Sequence, residues 1–264
     1  MQDRLQWIKL QPQAWAHWGA LRGGMQAHAQ LRKTYPAARC FVVEPQADRA
    51  QIVAKSQATP WWKPAGWLAA PMKFEMPPTG SIDILWANMA LHESADPQAQ
   101  LAQWSRLLKV DGFLMFSCLG PDTACELRSL YAALSWPPAG HSLTDMHDWG
   151  DMLVQTGFSE PVMDMERITL TYASAGRLLE ELAGLGRNFH PARFPGLRGK
   201  AWRAGLERAI TDRLTGSDGR IALTFEVIYG HALKARPRVK VSPHSAVSVD
   251  DMRSMLQSGR SPLR

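Results

Sequence analysis

An open α/β fold, with a mostly parallel sheet and helices laid against it, is the class that this 264-residue sequence predicts. Three observations carry the prediction. Short apolar runs with strand character alternate with amphipathic helical stretches; polar groups gather where those runs end; and two β-rich stretches, 161–172 and 220–232, bracket a pair of further helical segments. In such a sheet the loops at the carboxyl ends of the strands converge on one crevice.

The elements follow in order. Residues 14–18 read as a strand, 19–24 as a tight glycine turn and 25–32 as a helix. A second strand, 39–43, ends on Glu44 and is followed by a helix over 47–55. From 60 to 78, prolines and Trp61, Trp62 and Trp67 break any periodicity, so a third strand there is weak. Residues 82–87 form a strand, 97–108 a helix with Pro97 in its first turn after Asp96, and 112–119 another strand. Residues 123–134 look helical, and Thr144 or Asp145 caps a helix that runs to 155 and stops at Gly157.

Between the closing strands, helical stretches 175–185 and 199–214 flank the loop 186–196. That is too long for a hairpin. A helical cap over the sheet edge, at about 174–216, is the expectation, within a single domain over 1–235. The remainder, 236–264, is rich in Arg, Pro, Ser and Lys and reads as a flexible basic tail, with a short helix over 249–257 at most.

Composition sets outer bounds. No long uninterrupted apolar run is present, and Met1 leads directly into Asp3 and Arg4, so neither a spanning helix nor a secretory leader is expected and a cytoplasmic protein is. The three cysteines are odd in number and lack metal-ligand spacing; Cys40 and Cys118 lie in apolar runs as buried thiols, and no metal is expected. The net charge of +6 suits an acidic carrier protein, nucleic acid or plain solubility. Without an interleaved aromatic ladder, nucleic acid is the weaker of these.

Four segments share the predicted crevice: 19–24, Glu44, 88–92 and 120–123. Glu44 stands where a carboxylate accepts from both hydroxyls of an adenosine ribose, or is an ordinary glutamate at a strand end. Gly19 and Gly23 let the backbone turn or approach a ligand, and equally suit a plain turn. His92 is a candidate base or a loop-orienting side chain. Asp83 reads as a structural anchor. In the cap, Arg187 and Arg193 stand out in a basic set suited to a carboxylate substrate or an acidic carrier, though such a set is more commonly a solvated helix face.

The segments Arg4 to Pro12, Ile82 to Glu93, Leu107 to Ser117, Leu119-Gly-Pro-Asp-Thr123 with Glu126-Leu-Arg128, and Asp145 to Gly150 together resemble the class I S-adenosylmethionine-dependent methyltransferases. The branch is that of the malonyl-acyl-carrier-protein O-methyltransferases of biotin synthesis and their complex I assembly-factor relatives. The resemblance implies a Rossmann-like sheet of seven strands with the last antiparallel, cofactor contacts at Gly19, Gly23, Glu44 and Asn88, and substrate-side roles at His92 and Asp122. It also implies an acidic small molecule or carrier-bound acyl group as methyl acceptor. Methylating a carboxylate asks for positioning and exclusion of water more than for a strong base.

Two departures from the family pattern stand against this. Its acid and middle glycine are replaced by His17 and Leu21, and a leucine there is expected to crowd the cofactor's methionine end. Around Ala70, the stretch Leu68-Ala-Ala-Pro71 offers no acid to the adenine amino group. The alternative that follows is a non-catalytic protein of this fold acting in binding or assembly.

Overall fold

The computed structural model describes residues 1, 4–5, 8–57, 72–236, 249–250 and 252–253. Seven strands form one sheet in the order β3-β2-β1-β4-β5-β7-β6. The first half comprises β1 (Ala14–Trp18), a single helical turn α1 (Ala20–Gly23), α2 (Met25–Thr34), β2 (Arg39–Val43), α3 (Ala47–Gln57) and β3 (Met72–Lys73). Next come β4 (Ile82–Ala87), a 3-10 turn at Leu91–Glu93, α4 (Pro97–Leu107) and β5 (Leu108–Leu119). The remainder is α5 (Cys125–Ala133), α6 (Met146–Gln155), β6 (Phe158–Tyr172), α7 (Ala175–Leu185), α8 (Lys200–Leu214) and β7 (Ile221–Lys234).

Strands β1 to β5 are parallel, and β7 lies antiparallel between β5 and β6. Because β1 has β2 on one side and β4 on the other, the chain winds outward in both directions from the β1/β4 boundary. That boundary opens the crevice at the carboxyl ends. The central strands are buried on both faces, which is why β1 and β4 read as nearly continuous apolar runs.

One face is covered by α4 and α6 through Leu101, Trp104, Trp149 and Leu153, the other by α2 and α3 through Leu31 and Val53. Local signals set the helix starts. Asp96 accepts from the amide of Ala99 with Pro97 in the first turn, Asp145 rather than Thr144 accepts from His147, and Ser174 accepts from Arg177. At the opposite edge of the sheet from the crevice, Asp83 accepts from the amides of Gln13 (2.8 Å) and Ala14 (2.9 Å) and pairs with Lys109 (2.8 Å). It is a structural clamp.

Several boundaries differ from expectation. The weak third strand is present, paired with β2 at Cys40 and Phe41. Strand β5 starts at Leu108, before the bulge that carries Asp111 at φ 64°. Strand β6 begins before Pro161, because a register shift between Ser159 and Val162 on this edge strand lets a proline sit without a ladder bond. The cap occupies the connection between β6 and β7, where α7 and α8 pack on α5 through Leu127, Leu178, Leu206 and Ile210. Trp61, Trp62, Trp67, Leu68 to Pro71 and nearly all of the tail, most of 249–257 included, lie outside the described residues. Cys40 and Cys118 are buried, and burial pushes both thiols up to about 12, so they are inert packing groups.

Candidate active site

The glycine loop is held from below. Gly19 sits in the left-handed region at φ 65° and donates its amide to Val43 (2.8 Å), which ties the end of β1 to the end of β2. A β-carbon on Gly19 would meet no atom within 4 Å, so the backbone presents an open face toward the crevice. At Gly23 a β-carbon would lie 2.9 Å from the Asn88 carbonyl oxygen and 3.0 Å from His17 Nε2, a close approach only glycine allows.

Beside that open face stands the half-buried Glu44. Its Oε1 accepts from the amide of Leu21 (2.6 Å), and Oε2 has no partner among the described residues. Burial raises its pKa, opposed by the Leu21 hydrogen bond and by nearby Arg49. The half-buried side chain of Leu21 packs on the cluster that contains Trp15, Leu31 and Val53 and does not line the cavity beside the loop. The crowding expected from a leucine at this position is therefore absent.

His17 is buried in β1 with its Nδ1 3.2 Å from Nδ1 of His28 and the two rings stacked. Burial holds His17 down at about 3 and His28 at about 4, so the pair is neutral and shares one proton across the contact. The unfolded chain, with ordinary histidines near 6.5, binds protons that the native state refuses. Stability is therefore full above about pH 6.5 and falls as the pH drops toward 4. The expected result is a thermal midpoint that falls from pH 7 to pH 5, with a shallower fall in His28→Gln; parallel slopes in the two proteins would contradict this account of the pair.

Asn88 joins the two halves of the site. Its Nδ2 donates to the carbonyl of Gly23 (2.6 Å) and its Oδ1 accepts from Ser117 Oγ (2.6 Å), while that same Oγ accepts from the amide of Met89 (3.1 Å). The Asn88 amide is thus spent on positioning the loop. Ser117, buried in β5, is the member of this chain of bonds that sequence reasoning missed.

A cavity of about 590 Å³ opens beside the loop, between the carboxyl ends of β4 and β5, α5 and the cap. Arg22, Arg49, Arg128 and Arg187 contribute to its wall, with His92, His141 and an apolar lining that includes Leu119, Leu127 and Leu182. Arg22 is paired with Glu93 and also donates to the Leu185 carbonyl (3.2 Å), and Arg128 donates to the carbonyls of Thr123 (2.5 Å) and Pro121. Arg187 makes no ion pair among the described residues. His92 accepts from the Leu119 amide through Nδ1 (3.4 Å), which leaves its proton on Nε2, and burial lowers it to about 4. At neutral pH it is a hydrogen-bond donor rather than a base.

Two expected residues lie elsewhere. Asp122 forms an ion pair with Arg167 of β6 (2.6 Å) and does not line the cavity; only its backbone is tied to the site, by donation to the buried Glu226 (2.7 Å). Arg193 returns its guanidinium to the His190 carbonyl of its own loop (3.3 Å) and is exposed outside the cavity. The motif 119–128 is instead a brace: Glu126 accepts from the amide (3.1 Å) and hydroxyl (2.5 Å) of Thr224, and Arg128 closes the turn above it. Glu226 and Thr224, on β7, left no local mark in the sequence.

A family model described as a methyltransferase domain matches residues 19–116, the span from the glycine loop to β5. The malonyl-[acyl-carrier protein] O-methyltransferase of Gallionella capsiferriformans is 39% identical over 246 residues, covering 90% of this chain and 83% of that protein. The chain belongs to this methyltransferase family. The relative of the same name from Legionella pneumophila is 34% identical over 239 residues, covering 89% and 82% of the two chains. That from Laribacter hongkongensis is 46% identical over 167 residues, 62% of this chain and 55% of its own length. Among solved structures, a protein of Bacillus halodurans (TM-score 0.58, 15% identity, 89% and 98% covered) and YcgJ of Bacillus subtilis (TM-score 0.54, 12% identity, 85% and 93% covered) share the fold.

As a member of this family the chain is an S-adenosylmethionine-dependent methyltransferase. The residues present fit that cofactor: Gly19 offers an unobstructed backbone face, and Glu44 offers a carboxylate oxygen with no hydrogen-bond partner among the described residues. The reading as a non-catalytic assembly protein, which rested on His17, Leu21 and Ala70, is set aside by the family match; His17 forms a neutral buried pair, Leu21 packs on the core, and Ala70 lies outside the described residues.

Proposed function

We propose that this methyltransferase esterifies the free carboxylate of a malonyl thioester borne by an acyl carrier protein, a step of biotin synthesis, in the cytoplasm. The observation that carries the proposal is the cavity under the cap, where Arg187, which makes no ion pair among the described residues, and the neutral His92 stand with Leu119, Leu127 and Leu182 in the wall beside the glycine loop. The bound cofactor supplies an electrophilic methyl group. Gly19 and Glu44 hold it, while Gly23, whose amide bonds to the Gly19 carbonyl (2.7 Å) and whose carbonyl is taken by Asn88 (2.6 Å), keeps the loop tied to the ends of β4 and β5. Arg187 orients the acceptor carboxylate by charge-assisted hydrogen bonds, while His92 donates from Nε2. Leu127 and Leu182 keep water out, which matters because a carboxylate needs desolvation and alignment more than deprotonation. Relatives that bear the name of this activity, and the absence among the described residues of a helix long and apolar enough to cross a membrane, support the reading.

Mass spectrometry of the acyl chain tests it. Malonyl carrier protein incubated with enzyme and S-adenosylmethionine gains one methyl group, and acetyl carrier protein, which lacks the free carboxylate, gains none. Arg187→Ala lowers kcat/KM by roughly 10- to 150-fold, the loss expected for a hydrogen-bonded charged group. Methylation of acetyl carrier, or full activity without Arg187, would reject the assignment of the acceptor.

A further inference from the structure

We infer that the outer face of the cap, from Phe189 to Arg203, is the docking surface for the acidic carrier protein that delivers the acyl group, an inference that rests on the proposed function. The stretch between Glu181 and Glu207 contains no acid, whereas Arg187, Arg193, Arg198, Lys200 and Arg203 fall within it, the last of them paired with Glu207 (2.9 Å). Apolar side chains are exposed among them: Leu197 fully, Phe189 at 67% and Phe194 at 44%. A basic surface studded with exposed apolar groups, continuous with a cavity mouth, suits a negatively charged protein that must seat beside the cavity and pass a thioester-linked arm inward.

The loop is built for this rather than left to order on contact. Asn188 donates to the Pro138 carbonyl (2.7 Å) and accepts from the His190 amide (2.9 Å), and His190 Nδ1 accepts from the Ala192 amide (3.0 Å). The half-buried Arg198 guanidinium lies over the rings of Trp202 (3.9 Å) and Phe194 (4.5 Å), which fixes the loop against α8. A preformed surface of this kind spares the ordering cost of binding. Position also separates two arginines of one loop: Arg187 and Phe189 line the cavity, whereas Arg193, Leu197 and Lys200 do not. The outer residues therefore sense the carrier without touching the acyl group.

The test compares full-length wild type with Arg193→Glu/Lys200→Glu and, separately, Leu197→Ser, using malonyl carrier protein and malonyl-coenzyme A as substrates. The expected results are a KM for the carrier raised at least tenfold by the charge reversal and several-fold by Leu197→Ser, with kcat and the KM for malonyl-coenzyme A unchanged. Raising the salt to 0.5 M weakens the wild type toward the carrier and removes most of the difference. Fluorescence anisotropy of labelled malonyl carrier protein reads binding without turnover, so docking is decided even if no methyl is transferred. A carrier affinity within twofold of wild type, or equal losses on both substrates, overturns the inference. So does binding of wild type to anionic vesicles or RNA, abolished by the same substitutions, where the carrier itself does not bind.

Discussion

Glu44→Ala is expected to weaken S-adenosylmethionine binding by about 1–3 kcal/mol, roughly 5- to 150-fold in Kd by calorimetry, with the fold retained. The cause is local. One oxygen of this carboxylate holds the Leu21 amide at 2.6 Å and so shapes the loop, and the other, with no hydrogen-bond partner among the described residues, accepts from the ligand. The alanine variant loses both, while Glu44→Gln keeps an acceptor without the charge and should fall between the two. Affinity unchanged in Glu44→Ala would reject the placement of the cofactor beside the end of β2.

The largest effect on stability is expected at Trp104. This side chain is fully buried on α4 and meets Trp18 edge-on, ring centroids 5.8 Å apart. Trp104→Ala removes a large apolar surface and leaves a cavity the surrounding strands cannot fill, a loss of about 3–5 kcal/mol. For a chain of this size that lowers the thermal midpoint by roughly 6–20 °C. Because Trp18 directly precedes Gly19, the loop loses its footing as well, and cofactor affinity falls with stability. A midpoint within 2 °C of wild type would mean that the two tryptophans do not brace the loop.

Much of this fold is written in local pattern. Strands β1, β2 and β4 match their expected limits because a parallel strand buried on both faces is an apolar run bounded by turn residues, and α7 is fixed by Ser174 at its start and Gly186 past its end. What local pattern missed depends on partners distant in sequence. The start of β5 was hidden because Asp111 and Gly112 look like a turn, and only pairing with Ile82 draws Leu108 into the ladder. Pro161 looks like a strand boundary until β6 is seen to be an edge.

The site divides in the same way. Spacing placed Glu44 and Asn88 at strand ends but did not show that the Asn88 amide is spent on Gly23 and Ser117. It located Leu21 at the middle of the loop but not the direction of its side chain, which decides whether the crevice is open. It grouped Arg187 with Arg193, although a turn at His190 sends one to the cavity and the other outward. Glu226 stands more than one hundred residues from the Asp122 amide it holds, and no motif links them.

A loop carrying His17 and Leu21 in place of the family's acid and glycine is expected still to hold the cofactor. Titration of the folded protein with S-adenosylmethionine by calorimetry tests it most directly. Saturable binding with one site per chain is predicted; absence of heat at millimolar cofactor, with circular dichroism showing an intact fold, would contradict it.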